Sequence, residues 1–145
     1  MTTILSYPPL PEQTEKQLLE LIQVVFPDID MDDVWWRLQN MPNLTCWCVY
    51  DDGKMVAFKI GYAIQIHRYY SWLGGVHPEW QRQGLAKQLM ECQHKWLYEN
   101  AFESVETCIR GHNEAMRQLN LASGFEEVGK RQKSYGYEFT FQKTL

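Results

Sequence analysis

The residues best suited to chemistry lie between Trp72 and Met90, in the stretch W-L-G-G-V-H-P-E-W-Q-R-Q-G-L-A-K-Q-L-M. An apolar, strand-like run ends at Val76, a turn passes through Pro78, and a helix is expected to open near Gln81. The first peptide N–H groups of a helix have no internal acceptor, and they carry the positive end of its dipole. Gln81, Arg82, Gln83, Gly84, Leu85, Ala86 and Lys87 therefore occupy a segment that suits an anion such as a diphosphate. Gly84 and Ala86 leave the backbone approachable, and Arg82 and Lys87 add positive charge. An ordinary strand–turn–helix, with its glycine placed for packing, would use the same residue types. The segment is neither a Walker loop nor a G-x-G-x-x-G fingerprint, because the required lysine or glycine triplet is missing.

Other reactive side chains are scattered. Cys46 and Cys48 flank Trp47 in an apolar run and would share one face of a strand. Cys92 and Cys108 have no neighbouring Cys or His at zinc-ligand spacing, so the four thiols read as structural and no metal site is expected. Asp28, Asp30, Asp32 and Asp33 crowd one loop and helix start. There they either cap the helix or attract a cationic amine. Trp35 and Trp36 lie about 100° apart on a helix and cannot both face one core, so one is available to line a cleft. His67, His77 and the nearby Glu79 are of types that can exchange protons, or are plain surface or capping residues.

The elements that must position these groups follow from periodicity. An extended start (Ile4 to Tyr7) gives way at Pro8-Pro9 to a helix carrying Leu18, Ile22 and Val25. A second helix spans Asp32 to Asn40. Leu44 to Tyr50 and Lys54 to Ala63 are strands joined by Asp51-Asp52-Gly53, a hairpin signal. Tyr69 to Val76 is the next strand, with Gly74-Gly75 marking a bulge or a close backbone approach. Leu85, Leu89, Cys92 and Trp96 define an amphipathic helix from Gln81 to Leu97. Ser104 to Ile109 is a strand, Asn113 to Ser123 a helix closed by Gly124, and Phe125 to Val128 and Tyr135 to Phe141 the last strands. The order is one strand, two helices, three strands, helix, strand, helix, two strands: an α+β chain around one mixed sheet, with residues 1–145 as a single domain.

On these residues the sequence resembles the GNAT acetyltransferase superfamily, whose signature Q/R-x-x-G-x-G/A follows a strand. Gln81, Gly84 and Ala86 match it, with Val76 and Pro78 at the usual distance before. Asn113-Glu114-Ala115-Met116, followed by Leu119, Gly124 and Phe125, is similar to the superfamily's second conserved region. The resemblance implies a sheet that splays between its fourth and fifth strands, with the pantetheine arm of acetyl-CoA lying in the gap. It implies main-chain groups at Val76 on the thioester arm, the N–H groups from Gln81 to Ala86 on the diphosphate, and Asn113 on the pantetheine. It further implies direct attack by a primary amine of a small molecule or peptide, without an acyl-enzyme. Two departures stand out. The tyrosine that many members place after the apolar position of the last helix, as acid for the thiolate, is Asn120 here, and Tyr69 to Val76 contains no carboxylate base. Asn120 and His77 are the remaining candidates for catalytic roles, with Tyr70 or Tyr135 as alternative acids. A CoA-binding module without catalysis is the alternative reading.

Composition narrows the classes further. In 145 residues, 45% hydrophobic and 22% charged, there are 14 basic and 18 acidic side chains, a net charge of −4. That is globular usage, and the acidity argues against binding along a phosphate backbone. No apolar run approaches a membrane span and no signal-like start is present, so a cytoplasmic protein is expected. The aromatic strand Tyr135 to Phe141 is expected to expose an edge or face, which suggests a homodimer.

Overall fold

The computed structural model describes residues 1–145. The chain runs β1 (Thr2–Ser6), α1 (Glu12–Val25), α2 (Met31–Asn40), β2 (Thr45–Asp51), β3 (Lys54–Gln65), β4 (Arg68–Val76), a 3-10 turn (Pro78–Trp80), α3 (Leu85–Glu99), β5 (Ser104–Arg110), α4 (Glu114–Ala122), β6 (Glu126–Lys133) and β7 (Gly136–Thr144). The seven strands form one sheet in the order β1-β2-β3-β4-β5-β7-β6. All neighbours are antiparallel except β4 and β5. No helix is long and apolar enough to cross a membrane.

The two faces of the sheet are filled separately, as the period of two in each strand dictates. Leu18, Leu21 and Ile22 of α1 and Val34 and Leu38 of α2 pack on Cys46, Cys48, Phe58, Ile60 and Tyr62. The opposite face receives Leu85 and Leu89 of α3 on Val49, Val56 and Ala57. Further along it, Met90 and Leu97 meet Tyr69, Val105, Phe139 and Phe141. Cys46 and Cys48 do share a face, as reduced, buried thiols with sulfurs 3.4 Å apart. Asp30 caps α2, its Oδ1 accepting from the Asp32 and Asp33 N–H groups at 3.0 and 3.2 Å. The hairpin turn has Asp52 and Gly53 at φ 49° and 81°, the pair of positive values that a two-residue turn matched to strand twist requires.

Three expectations are corrected. α3 opens at Leu85, not near Gln81. β6 extends to Lys133, well past Val128. Glu126, Glu127, Lys130, Arg131 and Lys133 give it no apolar alternation to read, and pairing with β7 defines it instead. The Tyr135 to Phe141 segment presents no edge, because β7 lies between β5 and β6, although Tyr135 and Tyr137 are exposed on its face. The sheet ends there on a charged strand, a usual defence against edge-to-edge pairing, so the edge argument for a homodimer is withdrawn.

The β4–β5 ladder is the feature that makes room for a site. Only Arg68↔Ser104, Tyr69↔Val105 and Tyr70↔Glu106 pair, with Arg68 ion-paired to Glu106. The next contact is a side chain: the Thr107 hydroxyl donates to the Ser71 carbonyl at 2.9 Å. Beyond it both strands continue unpaired to one another. Trp72 is the bulged residue of β4, since Leu73 pairs with Ile60 and Ser71 with Gly61. Gly75 marks a close approach instead: a Cβ there would lie 2.6 Å from Val25 Cγ1 and 3.2 Å from Phe58 Cε1. Gly75→Ala is therefore expected to cost about 1–3 kcal/mol through overpacking. Gly74→Ala, whose Cβ would make only ordinary contacts from 3.4 Å outward, should change stability by less than about 1 kcal/mol. Urea unfolding of the two variants checks the contrast.

Candidate active site

The loop before α3 is shaped by two left-handed residues, Arg82 (φ 65°) and Gly84 (φ 77°). They keep Gln81 to Gly84 out of the helix. The first intrahelical bond runs from the Gln88 N–H to the Gly84 carbonyl at 3.0 Å, and no side chain caps the helix. The N–H groups of Leu85, Ala86 and Lys87 are thus left without acceptors at the positive end of the dipole. They border a cavity of about 610 Å³ lined also by Gly75, Val76, Trp80, Gln81, Arg82 and Gly84. A Cβ on Gly84 would meet nothing within 4 Å, so the backbone there is open. Trp80 is fixed in this wall by its indole N–H donating to Asp51 Oδ2 at 2.8 Å, with the Lys54 ammonium 4.8 Å above the ring.

A second cavity, about 570 Å³, occupies the gap beyond the β4–β5 ladder. Ser71 to Gly74 form one wall, Thr107 to Arg110 another, and Asp28 of the α1–α2 loop and Asp33 and Arg37 of α2 close it. Val25, Phe26, Lys59, Gly74, Asn113 and Met116 line both cavities. Three carboxylates (Asp28, Asp33, Glu138) face three cations (Arg37, Lys59, Arg110) in the second cavity. Asp33 is ion-paired to Arg37 at 3.1 Å, and Glu138 accepts from the Tyr135 hydroxyl at 2.7 Å. The acidic crowd does not make a cation-attracting cleft: Asp30 is a helix cap, and the cavity's charges balance.

The candidate residues fall into three groups. Val76, Gln81, Arg82, Gly84, Leu85, Ala86, Lys87 and Asn113 all line the first cavity. Asn113 caps α4, its Oδ1 accepting from the Met116 N–H at 3.2 Å, which leaves its Nδ2 free. Asn120 lines the second cavity. It is 1% exposed, and its Nδ2 has no hydrogen-bond partner. Gln83 and His77 line neither cavity. His77 Nδ1 accepts from the Glu79 N–H at 3.1 Å and its ring packs edge-on to Trp80, so it holds the turn. Trp35 and Trp36 also miss both cavities, 51% and 52% exposed. The aromatic wall is Trp72, with the Arg37 guanidinium 5.0 Å from its ring.

Lys59, Arg37, Arg110 and Glu138 were not among the expected site residues. For Lys59 the signal was present: a lone cation in the apolar run Val56-Ala57-Phe58-Lys59-Ile60. It sits opposite Gly74 in the β3–β4 register, and burial pushes its ammonium pKa down to about 8. Burial likewise raises the Tyr70 hydroxyl well above its ordinary value, helped by the Cys108 thiol. Tyr70 is therefore a poor proton donor at neutral pH. No group of three or more His, Cys, Asp or Glu side chains is placed to hold a metal ion.

Residues 15–125 match the acetyltransferase (GNAT) family. The chain belongs to that family. No curated protein matches its sequence. Among solved structures, the fold of this acetyltransferase is similar to that of the ribosomal-protein-S18-alanine N-acetyltransferase from Escherichia coli (TM-score 0.84, 19% identity, 99% of this chain and 94% of that one). It also resembles a GNAT family acetyltransferase from Elizabethkingia anophelis with acetyl-CoA bound (TM-score 0.79, 11% identity, 99% and 97% covered). A third likeness is to Arabidopsis thaliana NAA60 in complex with a bisubstrate analogue (TM-score 0.79, 15% identity, 99% of both chains).

One buried titratable group behind the acetyltransferase's cleft sets a pH response. His94 on α3 is 8% exposed and accepts at Nδ1 from the Lys143 ammonium at 3.1 Å. Burial first, then Lys143 and Lys59, push its pKa down to about 3. The unfolded chain, with a histidine pKa of about 6.5, binds the extra proton between these values. Stability should therefore fall as pH drops from about 6.5 toward 3, with a His94 share of at most about 1.4 kcal/mol per pH unit. Denaturant unfolding at pH 7 and pH 5 should show a smaller loss in His94→Leu than in the wild type.

Proposed function

We propose that this acetyltransferase moves the acetyl group of acetyl-CoA to a primary amine of a small molecule or peptide, by direct attack with both substrates bound. The observation that carries the reading is the meeting of two cavities along one wall, one of them bordered by an uncapped helix N-terminus. The chain's residues fit the donor. The Leu85, Ala86 and Lys87 N–H groups, with the Arg82 and Lys87 charges, would hold the diphosphate. The Val76 main chain and Asn113 Nδ2 would engage the arm that leads toward the fork. When bound, the donor supplies a thioester carbonyl already activated for attack, and main-chain donors on the unpaired edge of β4 would polarise it.

The acceptor enters from the second cavity, where balanced charge suits a neutral or zwitterionic surround better than a polycation. A peptide α-amine fits this, in keeping with the alanine acceptor for which the E. coli enzyme is named. Its nitrogen bonds to the carbonyl carbon and the carbon–sulfur bond breaks. Proximity of the two bound substrates supplies much of the rate. Asn120 takes the place of a tyrosine acid. Its Nδ2 is buried without a partner, so a hydrogen bond to the departing sulfur would satisfy it. An amide cannot give up a proton at neutral pH. CoA thus leaves as the thiolate and collects the proton that the attacking nitrogen sheds. His77, committed to its turn, has no part in this scheme.

Two measurements test the reading. Acetyl-CoA at about 100 times its dissociation constant adds about 2.7 kcal/mol of stability, a melting shift of roughly five degrees or more. ATP should give no comparable shift, and Gly84→Glu, still folded by circular dichroism, should abolish the acetyl-CoA effect. No shift in the folded wild type would remove the donor assignment. Asn120→Leu should lower kcat about tenfold with little change in the KM for acetyl-CoA; an unchanged kcat would release Asn120 from its role.

A further inference from the structure

Attack on a thioester requires a free lone pair, and a primary amine, with a pKa of about 8 for a peptide α-amine and about 10.4 for an alkyl amine, arrives at neutral pH mostly as an ammonium. Some group must take that proton. The segment Ser71 to Val76 carries no carboxylate, His77 faces neither cavity, Glu138, Asp33 and Glu106 are held by Tyr135, Arg37 and Arg68, and Asp28 and His112 line the second cavity alone. Of the six residues that line both cavities, Val25, Phe26, Lys59, Gly74, Asn113 and Met116, only Lys59 can exchange a proton.

We propose that Lys59, a residue of the wall shared by the two cavities, is the proton acceptor for the incoming amine. The inference rests on the N-acetyltransferase reading above. Three features of the site support it. Lys59 makes no ion pair and no hydrogen bond, so its lone pair is not engaged elsewhere. Gly74, directly across the β3–β4 ladder, presents no side chain: a Cβ there would already lie 3.6 Å from Lys59 Cγ and 3.7 Å from Nζ. Any larger side chain would occupy the space through which Nζ reaches the fork. The depressed pKa described above leaves a useful fraction of Lys59 neutral near pH 7.5, which an ordinary lysine would not provide.

The groups around the ammonium are consistent with this. Asp28, Asp33 and Arg37 face the second cavity from the first two helices and the loop between them. Tyr70 does so from β4, Cys108, Arg110 and His112 from β5 and its turn, and Tyr135 and Glu138 from the β6–β7 hairpin. His94 of α3 feels the Lys59 charge, and Lys143 of β7 contacts His94. None of the carboxylates pairs with Lys59 to fix its proton. In the step itself, one proton passes from the acceptor ammonium to Nζ, and the freed lone pair forms the carbon–nitrogen bond. The carbon–sulfur pair leaves with sulfur, the second nitrogen proton goes to that sulfur, and Lys59 returns its proton to water.

The test compares Lys59→Met, Lys59→Arg and wild type on two minimal acceptors of similar size: ethylamine, cationic at pH 7, and trifluoroethylamine, already neutral there. Both variants should lose about a hundredfold in kcat on ethylamine and stay within about threefold of wild type on trifluoroethylamine. Their melting shift with acetyl-CoA should be retained. Arginine keeps the charge and cannot release the proton, so an active Lys59→Arg would assign a purely electrostatic role and overturn the proposal. Equal losses on both amines would assign a packing role and also overturn it. Independently of turnover, the lysine Cε carbon-13 signal that Lys59→Arg removes should titrate near 8 in the protein alone; a midpoint in the ordinary lysine range sinks the idea. Wild-type protein that acetylates neither amine would count against the reading of function itself, and the proposal would fall with it.

Discussion

Thr107 donates its hydroxyl to the Ser71 carbonyl one residue beyond the last backbone pair of β4 and β5. That single side-chain bond occupies the point where backbone pairing between the two strands ends. A sheet interior with unpaired peptide groups is costly unless something else satisfies them, so the opening is tolerated only at a place built for another partner. Everything chemical in the molecule is arranged around it. β4 and the helix N-terminus that follows it border one side, β5 and α4 the other.

The packing explains why the gap stays open. Val25 and Phe58 press against Gly75 so closely that no Cβ fits, which pins the end of α1 to the β4 wall. Asn113 ties the first turn of α4 to the opposite wall by capping it. One buried polar group on this seam, Asn120, lines the second cavity and holds a side-chain nitrogen with no partner. An unsatisfied group of this kind costs stability.

Much of this was legible in the sequence, and the reasons differ by residue. The element order could be read because apolar periodicity is strong where burial is one-sided, as in Leu85, Leu89 and Cys92 or Leu18 and Ile22. That this segment would border a cavity could be read because Gly84 and Ala86 leave its backbone approachable. The start of α3 could not, since nothing in Gln81-Arg82-Gln83 announces that Arg82 adopts a left-handed conformation. β6 was hidden by its own exposure, which removes the alternation a strand normally shows. The second cavity was the least legible. Trp35 and Trp36 drew attention by type, yet Trp72 lines the cavity, because the bulge in β4 and the course of α2 are set by tertiary packing. Lys59 was visible as an anomaly in an apolar strand, but its place on the common wall emerges only from the register with Gly74.

Trp80 and Trp72 stand in the walls of the two different cavities, the first hydrogen-bonded to Asp51, the second beneath Arg37. Indole emission responds to local polarity and to nearby charge, so each half of the site holds its own fluorophore. With Trp35 and Trp36 as a solvent-exposed background and Trp47 and Trp96 removed from either cavity, single-tryptophan versions of the chain would report the filling of each compartment separately. The order in which the two substrates arrive is thereby open to stopped-flow optics without any attached label.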